Sequence, residues 1–176
     1  MPLNVREKSG SDFKKVPEGT HIAVCNMVVD LGLQPSPYGP KHRIFFRWEI
    51  PDERTEWEKD GQTMEGPMTI GTTLSASLSK KATLRGFLES WRGKQFTKEE
   101  LEGFDVFAVL GKSCQLQVIH EKADNGNVYA NIKGCMSLPR DSAHRRPRIH
   151  SCVTRRTNRA ITTSCRSGCA RKSTTR

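Results

Sequence analysis

The sequence predicts a mainly β domain of five strands, with one or two helices between the third and the fourth strand. Three observations lead to this prediction. Arg43–Ile50 alternates apolar and polar side chains with period two, which is typical of a half-buried strand. Leu84–Trp91 carries large apolar residues at helical spacing. Asp124–Asn127 reads Asp-Asn-Gly-Asn, which favours a tight hairpin turn between two further alternating segments.

Two strands are predicted in the first part of the chain. Polar residues 1–19 predict a flexible arm that ends in the turn signal Pro17-Glu18-Gly19. His21–Leu31 follows as the first strand. Residues 32–40 hold three prolines and two glycines and therefore predict a loop. Arg43–Ile50 is the second strand, with its apolar side chains on one face.

A loop, a third strand and two helices are predicted next. The charged residues 51–66, which include Trp57, predict a surface loop, and Met68–Ala76 predicts a strand that Gly71 weakens. We expect Ser79 to cap the first helix and Gly93 to end it in a left-handed conformation. The helix would present Leu84, Phe87, Leu88 and Trp91 on one face. Thr97 and Glu100 form a capping box that opens a short helix ending at Gly103.

The last two strands complete a recognisable order of elements. Lys112–Glu121 and Val128–Met136 both alternate, with the hairpin turn between them. Five strands with a helix between the third and the fourth is the order of the five-stranded OB-fold barrel. Ligands of that fold bind over the second and third strands, bordered by the loops between strands one and two and strands four and five.

The second strand carries an unusual polar face. Phe45 stands between Arg43 and Arg47, opposite the apolar face. An aromatic ring flanked by guanidinium groups can stack a nucleic-acid base while the arginines hold its phosphates. The alternative is an ordinary half-buried strand whose phenylalanine is shielded by the arginine stems.

The net charge of the protein comes from its C-terminal end. The formal charge is +10, and residues 140–176 contain ten Arg and one Lys against Asp141, which also gives +10. Residues 1–139 are therefore neutral, and the basic isoelectric point does not argue for a nucleic-acid-binding body. This neutrality leaves open a second class of function, an OB-fold module that binds other proteins.

Motifs of enzymes, metal sites and membrane segments are missing. The sequence has no phosphate-binding glycine loop, no nucleophile elbow and no His-Glu-x-x-His motif. The six cysteines contain no Cys-x-x-Cys pair, so we expect reduced thiols and no cofactor or metal. The irregular spacing of the tail residues His144, His150, Cys152, Cys165 and Cys169 argues against a zinc site. No apolar run spans a membrane and no signal peptide is recognisable, so a cytoplasmic location without a membrane partner is expected.

Three stretches resemble a known family. They are 29–32 (Val-Asp-Leu-Gly), 84–94 (Leu-Arg-Gly-Phe-Leu-Glu-Ser-Trp-Arg-Gly-Lys) and 100–104 (Glu-Leu-Glu-Gly-Phe). They are similar to those of small phage and prophage proteins, an OB-fold single-stranded DNA-binding group found among replication and recombination genes. The resemblance covers about residues 20–139 and is most specific in the helix. It implies a DNA-binding protein in the cytoplasm of a bacterial host.

The sequence after Pro139 departs from that family. It is rich in Arg, Ser and Thr, which cannot bury a core, so residues 140–176 are expected to be disordered. The tail reads like translation in a shifted frame, which is a hypothesis about the gene.

We therefore predict a non-catalytic protein that binds single-stranded DNA in phage replication or recombination. Arg43 and Arg47 would hold phosphates, and Lys41 and Lys133 would steer the strand. Phe45 and Tyr129 would stack bases. The alternative is an interaction module that docks on a recombination or replication protein or inhibits a host defence protein.

Overall fold

The computed structural model describes residues 14–59, 61–124, 126–138, 153–157 and 160–164. Five strands form the body: β1 (Gly19–Gln34), β2 (Lys41–Lys59), β3 (Gln62–Ser75), β4 (Ser113–Lys122) and β5 (Val128–Met136). Helices α1 (Thr83–Arg92) and α2 (Lys98–Glu102) and a 3-10 turn (Val106–Val109) separate β3 from β4. Two further strands, β6 (Val153–Thr157) and β7 (Ala160–Ser164), follow β5.

The five body strands form a strongly curled antiparallel half-barrel, which is consistent with the predicted OB-like fold. Their order is β3-β2-β1-β4-β5, and β1 is central because it pairs with both β2 and β4. Two irregularities in the pairing of β1 with β2 fall between Cys25 and Met27 and between Asp30 and Gly32. Such bulges increase local twist, so the strand can bend from one partner to the other.

The core lies on the concave side of the sheet and is closed by α1. The apolar residues of β2 that were predicted to face inward, namely Ile44, Phe46, Trp48 and Ile50, are all buried. Trp48 stacks on Phe46 with ring centroids 5.8 Å apart and meets Trp91 of α1 at the same distance. The indole N–H of Trp91 donates to the carbonyl oxygen of Ser113, 3.1 Å away, which ties α1 to β4.

Most features predicted for the helices are confirmed. Leu84, Leu88 and Trp91 are buried, whereas Phe87 is half-buried at the edge of the cluster. Gly93 has a φ of 67° and ends α1 in the left-handed conformation. The prediction that Ser79 caps α1 is wrong, because the backbone N–H of Ala82 bonds to the Ser79 carbonyl in a preceding turn and the helix begins at Thr83.

The helix α2 also follows its prediction. It spans Lys98–Glu102, directly before Gly103. The Thr97 hydroxyl accepts from the backbone N–H of Glu100, and the Glu100 carboxylate accepts from the backbone N–H of Thr97. The capping box is therefore confirmed.

The prediction of a surface loop over residues 51–66 is wrong. β2 and β3 continue through this region as a paired two-stranded arm, after an irregularity between Ile50 and Arg54. Arg54 and Glu65 form an ion pair across the arm, and Gly61, with a φ of 76°, provides the turn. The sequence signal was the Asp60-Gly61 pair, which favours a hairpin turn; the density of charged residues obscured it.

The chain on either side of the barrel also contacts it. Val16 is buried, and its carbonyl oxygen lies 2.8 Å from Nε2 of His120. In the region predicted to be disordered, β6 and β7 form a hairpin, and β6 pairs in parallel with Met27–Val29 of β1. β4 pairs with β1 only from Gly19 to Val24, so β6 pairs with the part of this edge of β1 that β4 leaves uncovered. The remainder of residues 1–13 and 139–176 lies outside the described residues.

Candidate functional site

The face of β2 opposite the core carries a row of basic and aromatic residues, which we call the β2 strip: Lys41, Arg43, Phe45 and Arg47. Lys41 is exposed, and the other three are half-buried. These alternate residues lie on one face of a strand that pairs regularly with β3 from Arg43 to Ile50. At about 3.3 Å per residue, the strip is about 20 Å long. The structure therefore brings together four of the six residues predicted to bind nucleic acid.

Phe45 lies directly over a glycine of β3. A Cβ atom added to Gly71 would be 2.6 Å from Cζ of Phe45 and 2.7 Å from Cε2. The ring thus occupies the space that a side chain at position 71 would need. Phe45 is therefore half-buried. The alternation alone had implied a fully exposed ring. The ring is held against the backbone of β3, with the two arginines on either side along β2.

A buried polar network connects β2 to the bulge in β1. Nε of Arg47 donates to Oδ1 of Asn26 at 3.1 Å, and Nδ2 of Asn26 donates to Oε2 of Glu49 at 3.4 Å. Asn26 and Glu49 are both fully buried. Buried polar groups need hydrogen-bond partners. The amide of Asn26 provides one to the Arg47 guanidinium through its oxygen and one to the Glu49 carboxylate through its nitrogen. The network fixes the Arg47 and Glu49 side chains next to each other.

A cleft of about 750 Å³ opens beside this network, where the two-stranded arm leaves the barrel. It is lined by residues of β1, β2 and β3 and by Lys14, among them Asn26, Arg47, Glu49, Arg54, Trp57 and Glu65. The Trp57 ring covers Gly66, since a Cβ there would be 2.8 Å from Cη2 of Trp57. The volume of the cleft is within the range of small-molecule sites. Sequence reasoning missed the cleft because it treated its walls as a loop.

The opposite end of the β2 strip meets the loop between β1 and β2. Tyr38 is 88% exposed there, and the Lys41 ammonium lies 5.4 Å from the centre of its ring. Behind it, Nε2 of His42 lies 2.5 Å from Oδ1 of Asp30, and this contact is the main reason that the pKa of Asp30 is lowered. Sequence reasoning passed over Tyr38, although a tyrosine between prolines in the ligand-bordering loop could have identified it.

Tyr129 and Lys133 lie on the exposed side of β5, at the other end of the sheet order from β2 and β3. Tyr129 is 48% exposed and pairs with Glu121 of β4. In the sheet order, β1 and β4 lie between these two residues and the β2 strip, although the curl of the sheet also brings β5 into contact with β3. Their assignment to one continuous site with Phe45 remains a prediction.

A second, apolar groove of about 410 Å³ lies at the C-terminal end of α1. Trp91, Phe104 and Val109 contribute to its apolar walls, and Arg92, Lys94 and Lys112 add three cations. Glu100 pairs with both Arg92 and Lys94, and Arg92 stacks over Phe96, 4.5 Å from the ring centre. The basic side chains around an apolar floor favour an acidic, partly apolar ligand.

The three body cysteines, which are distant in sequence, meet in the core. Cys25, Cys114 and Cys135 are free and buried. Burial raises the pKa of the Cys25 and Cys114 thiols, so both stay protonated at neutral pH. Within the described ranges, no three His, Cys, Asp or Glu side chains are placed to hold a metal ion. The tail residues considered for zinc lie outside the described side chains.

Comparisons with known proteins add no assignment. No protein-family model matches the chain, and a search of curated proteins finds no significant match. None of the helices in the described part of the chain is long and apolar enough to cross a membrane.

Proposed function

We propose that this protein binds single-stranded DNA, without catalysis, along the β2 strip. The observation that carries the proposal is the Phe45 ring, held on Gly71 between Arg43 and Arg47. Base–aromatic stacking and electrostatic contacts to the backbone are the two components of single-strand binding by OB folds. The resemblance of three stretches to the phage group supports a role in replication or recombination.

The arginines of the strip differ in their freedom to contact phosphate. Arg47 already donates through Nε to Asn26, which orients its guanidinium. Nε of Arg43 is buried and has no hydrogen-bond partner among the described residues. A guanidinium has five N–H donors, so both side chains retain donors for a phosphate. Lys41 and the exposed Tyr38 extend the same surface into the β1–β2 loop.

The test is a titration of labelled thymidine strands with the parent protein and three variants. Phe45→Ala is expected to weaken binding by about 1–3 kcal/mol through loss of stacking. Arg43→Ala and Arg47→Ala should each lower the slope of log affinity against log salt by about 0.7, with little effect on base preference. Arg85→Ala is the matched control, because Arg85 pairs with Glu89 on α1, and α1 packs against the core face of β2, opposite the β2 strip. Binding by the Phe45 variant equal to that of the parent would refute the proposal.

A second candidate function is the docking of another protein in the apolar groove at α1. The charge pattern favours a peptide segment with one large apolar side chain next to carboxylates. The chain's own continuation is a poor occupant, because residues 139–150 carry four arginines against one aspartate. A labelled aspartate-rich peptide ending in phenylalanine should bind the parent and lose affinity with Lys112→Glu, but not with Lys122→Glu on β4. Equal binding to all three proteins, or to none, would exclude this candidate.

A further inference from the structure

The two-stranded arm of β2 and β3 carries an exposed apolar pair in acidic surroundings. Trp57 and Met64 are directly opposite each other in the strand pairing, and each is 42% exposed. Residues 51–66 contain six acidic side chains against two basic ones, and one of these two, Arg54, is paired with Glu65. Large exposed apolar side chains are typical of protein interfaces, in which Trp and Met are enriched. The arm therefore has the composition of a docking element with an excess of negative charge.

The stability of the arm alone does not account for these side chains. Glu56 is directly opposite Glu65, and like charges in this position destabilise a strand pair. Among the described residues, β1 pairs with β2 only as far as Glu49, and an isolated two-stranded hairpin is marginally stable. The Trp57 ring is nevertheless held, because it packs so closely over Gly66 that a Cβ there would be 2.8 Å from Cη2. A partner would meet a fixed ring, which lowers the entropic cost of docking.

The apolar groove at α1 has the complementary chemistry. Its accessible apolar surface comes from the half-buried Phe104 and Leu138 and the exposed Ala108. Lys94 and Lys112 line the same groove, and both are exposed. Its volume of about 410 Å³ is in the range of sites that enclose a small ligand, so one large side chain fits.

We propose that the arm of one copy of this chain docks in the groove at α1 of a second copy, with Trp57 in the groove. Glu56 and Glu58 adjoin Trp57 along β2 and are exposed, so their charge attracts Lys94 and Lys112 over distances that salt screens only partly. The contact joins two different surfaces, so the copies assemble head to tail. The inference rests on the groove of the second candidate function, for which it names the occupant, and does not depend on DNA binding by the β2 strip.

A second copy is required because the arm leads away from the groove of its own chain. Val24 of β1 pairs with both Glu49 of β2 and Ser113 of β4, so these three residues lie in one row of the sheet. β2 and β4 are both antiparallel to β1 and therefore run in the same direction. The groove is at the start of β4, where Lys112 and Ser113 line it, whereas Trp57 lies beyond Glu49 in the direction in which β4 leaves the groove.

The experiment is sedimentation velocity of the full chain, freed of nucleic acid, over a range of protein concentrations. The average sedimentation coefficient should rise with concentration and decrease as salt is added, because salt screens the charges. Trp57→Ala and Lys112→Glu should each weaken self-association by about tenfold or more, since loss of a central aromatic and opposition of like charges are both costly at an interface. Tyr38→Ala, in the β1–β2 loop, and Lys122→Glu, on β4, change exposed residues outside the arm and the groove and should leave self-association unchanged.

A mixture of the two variants tests the head-to-tail geometry. The Trp57→Ala protein keeps its groove and the Lys112→Glu protein keeps its arm, so each pair of molecules retains one productive contact. The mixture should form one-to-one dimers and no larger species, at concentrations where each variant alone is monomeric. This readout holds even where Trp57→Ala disorders the arm, because the mixture uses only the groove of that variant.

Three results would overturn the inference. Self-association that survives Lys112→Glu but is lost with Trp57→Ala would show that another surface, such as the basic tail, binds the arm. Variants that stay monomeric in the mixture would show that the arm and the groove do not contact each other. A parent protein that remains monomeric but binds the aspartate-rich peptide in its groove would exclude the second copy as occupant and leave the second candidate function standing.

Discussion

The contact between Phe45 and Gly71 can be tested by adding one methyl group. Gly71 does not have a positive φ, so alanine is compatible with its backbone, and the effect of Gly71→Ala is steric. The new Cβ would meet the Phe45 ring at 2.6 Å and the carbonyl oxygen of Phe46 at 2.9 Å. The ring can move, but that carbonyl belongs to the paired backbone of β2. Overpacking of this kind costs about 1–3 kcal/mol, and reduced unfolded-state entropy returns about 0.4–1 kcal/mol. We expect a net loss of about 1–2 kcal/mol.

Urea unfolding followed by tryptophan fluorescence measures this loss, because Trp48 and Trp91 lie in the core. Gly86→Ala is the matched control: apart from the backbone of its own helix and its chain neighbours, nothing lies within 4 Å of its added Cβ, and the residue is inside α1. It should stabilise the protein by about 0.5–1 kcal/mol. In the double variant Phe45→Ala/Gly71→Ala, the ring clash disappears and the two effects should be less than additive. A Gly71→Ala protein as stable as the parent would show that Phe45 does not rest on residue 71.

Two further predictions concern the core. Leu88→Ala should destabilise the protein by about 2–5 kcal/mol. This loss should exceed that of Phe87→Ala, because Leu88 is fully buried and Phe87 is half-buried. Urea unfolding of both variants measures the two losses. The Cys25 and Cys114 thiols should resist alkylation at neutral pH until the protein unfolds, as peptide mass mapping would reveal. Because their pKa is raised in the folded state, the unfolded chain releases these protons first, so stability should fall as pH rises above about 8.5. Rapid alkylation in the native state, or constant stability up to that pH and beyond, would contradict the burial described for these thiols.

Strand and helix periodicity predicted the main elements because it reflects burial directly. The apolar face of β2, the helix face of α1 and the Thr97–Glu100 capping box all depend on local spacing. The ends of the strands were less predictable. β2 extends nine residues past Ile50 to Lys59, because pairing with β3 and the Arg54–Glu65 ion pair stabilise a segment that composition alone assigned to a loop.

The candidate site was also only partly predictable from local spacing in the sequence. Alternation placed Arg43, Phe45 and Arg47 on one face, since the side-chain period of a strand is two. It could not predict that the Phe45 ring would pack on Gly71. Nor could it predict that Asn26, in the bulge of β1, would hydrogen-bond both Arg47 and Glu49. Both sets of contacts depend on the register between strands. The proximity of the free cysteines Cys25, Cys114 and Cys135 in the core likewise depends on the pairing of β1 with β4 and of β4 with β5.

The central claim is that the β2 strip, and not the basic tail, binds the strand. Its most direct test is the affinity of a chain ending at Pro139 for a thymidine strand over a range of salt concentrations. The core residues lie between Val16 and Cys135, so this chain should still unfold cooperatively. We predict that it binds with a salt slope of about 0.7 per phosphate contact, and that Phe45→Ala weakens this binding. A cooperatively folded chain that has lost all single-strand binding together with the tail would contradict the claim.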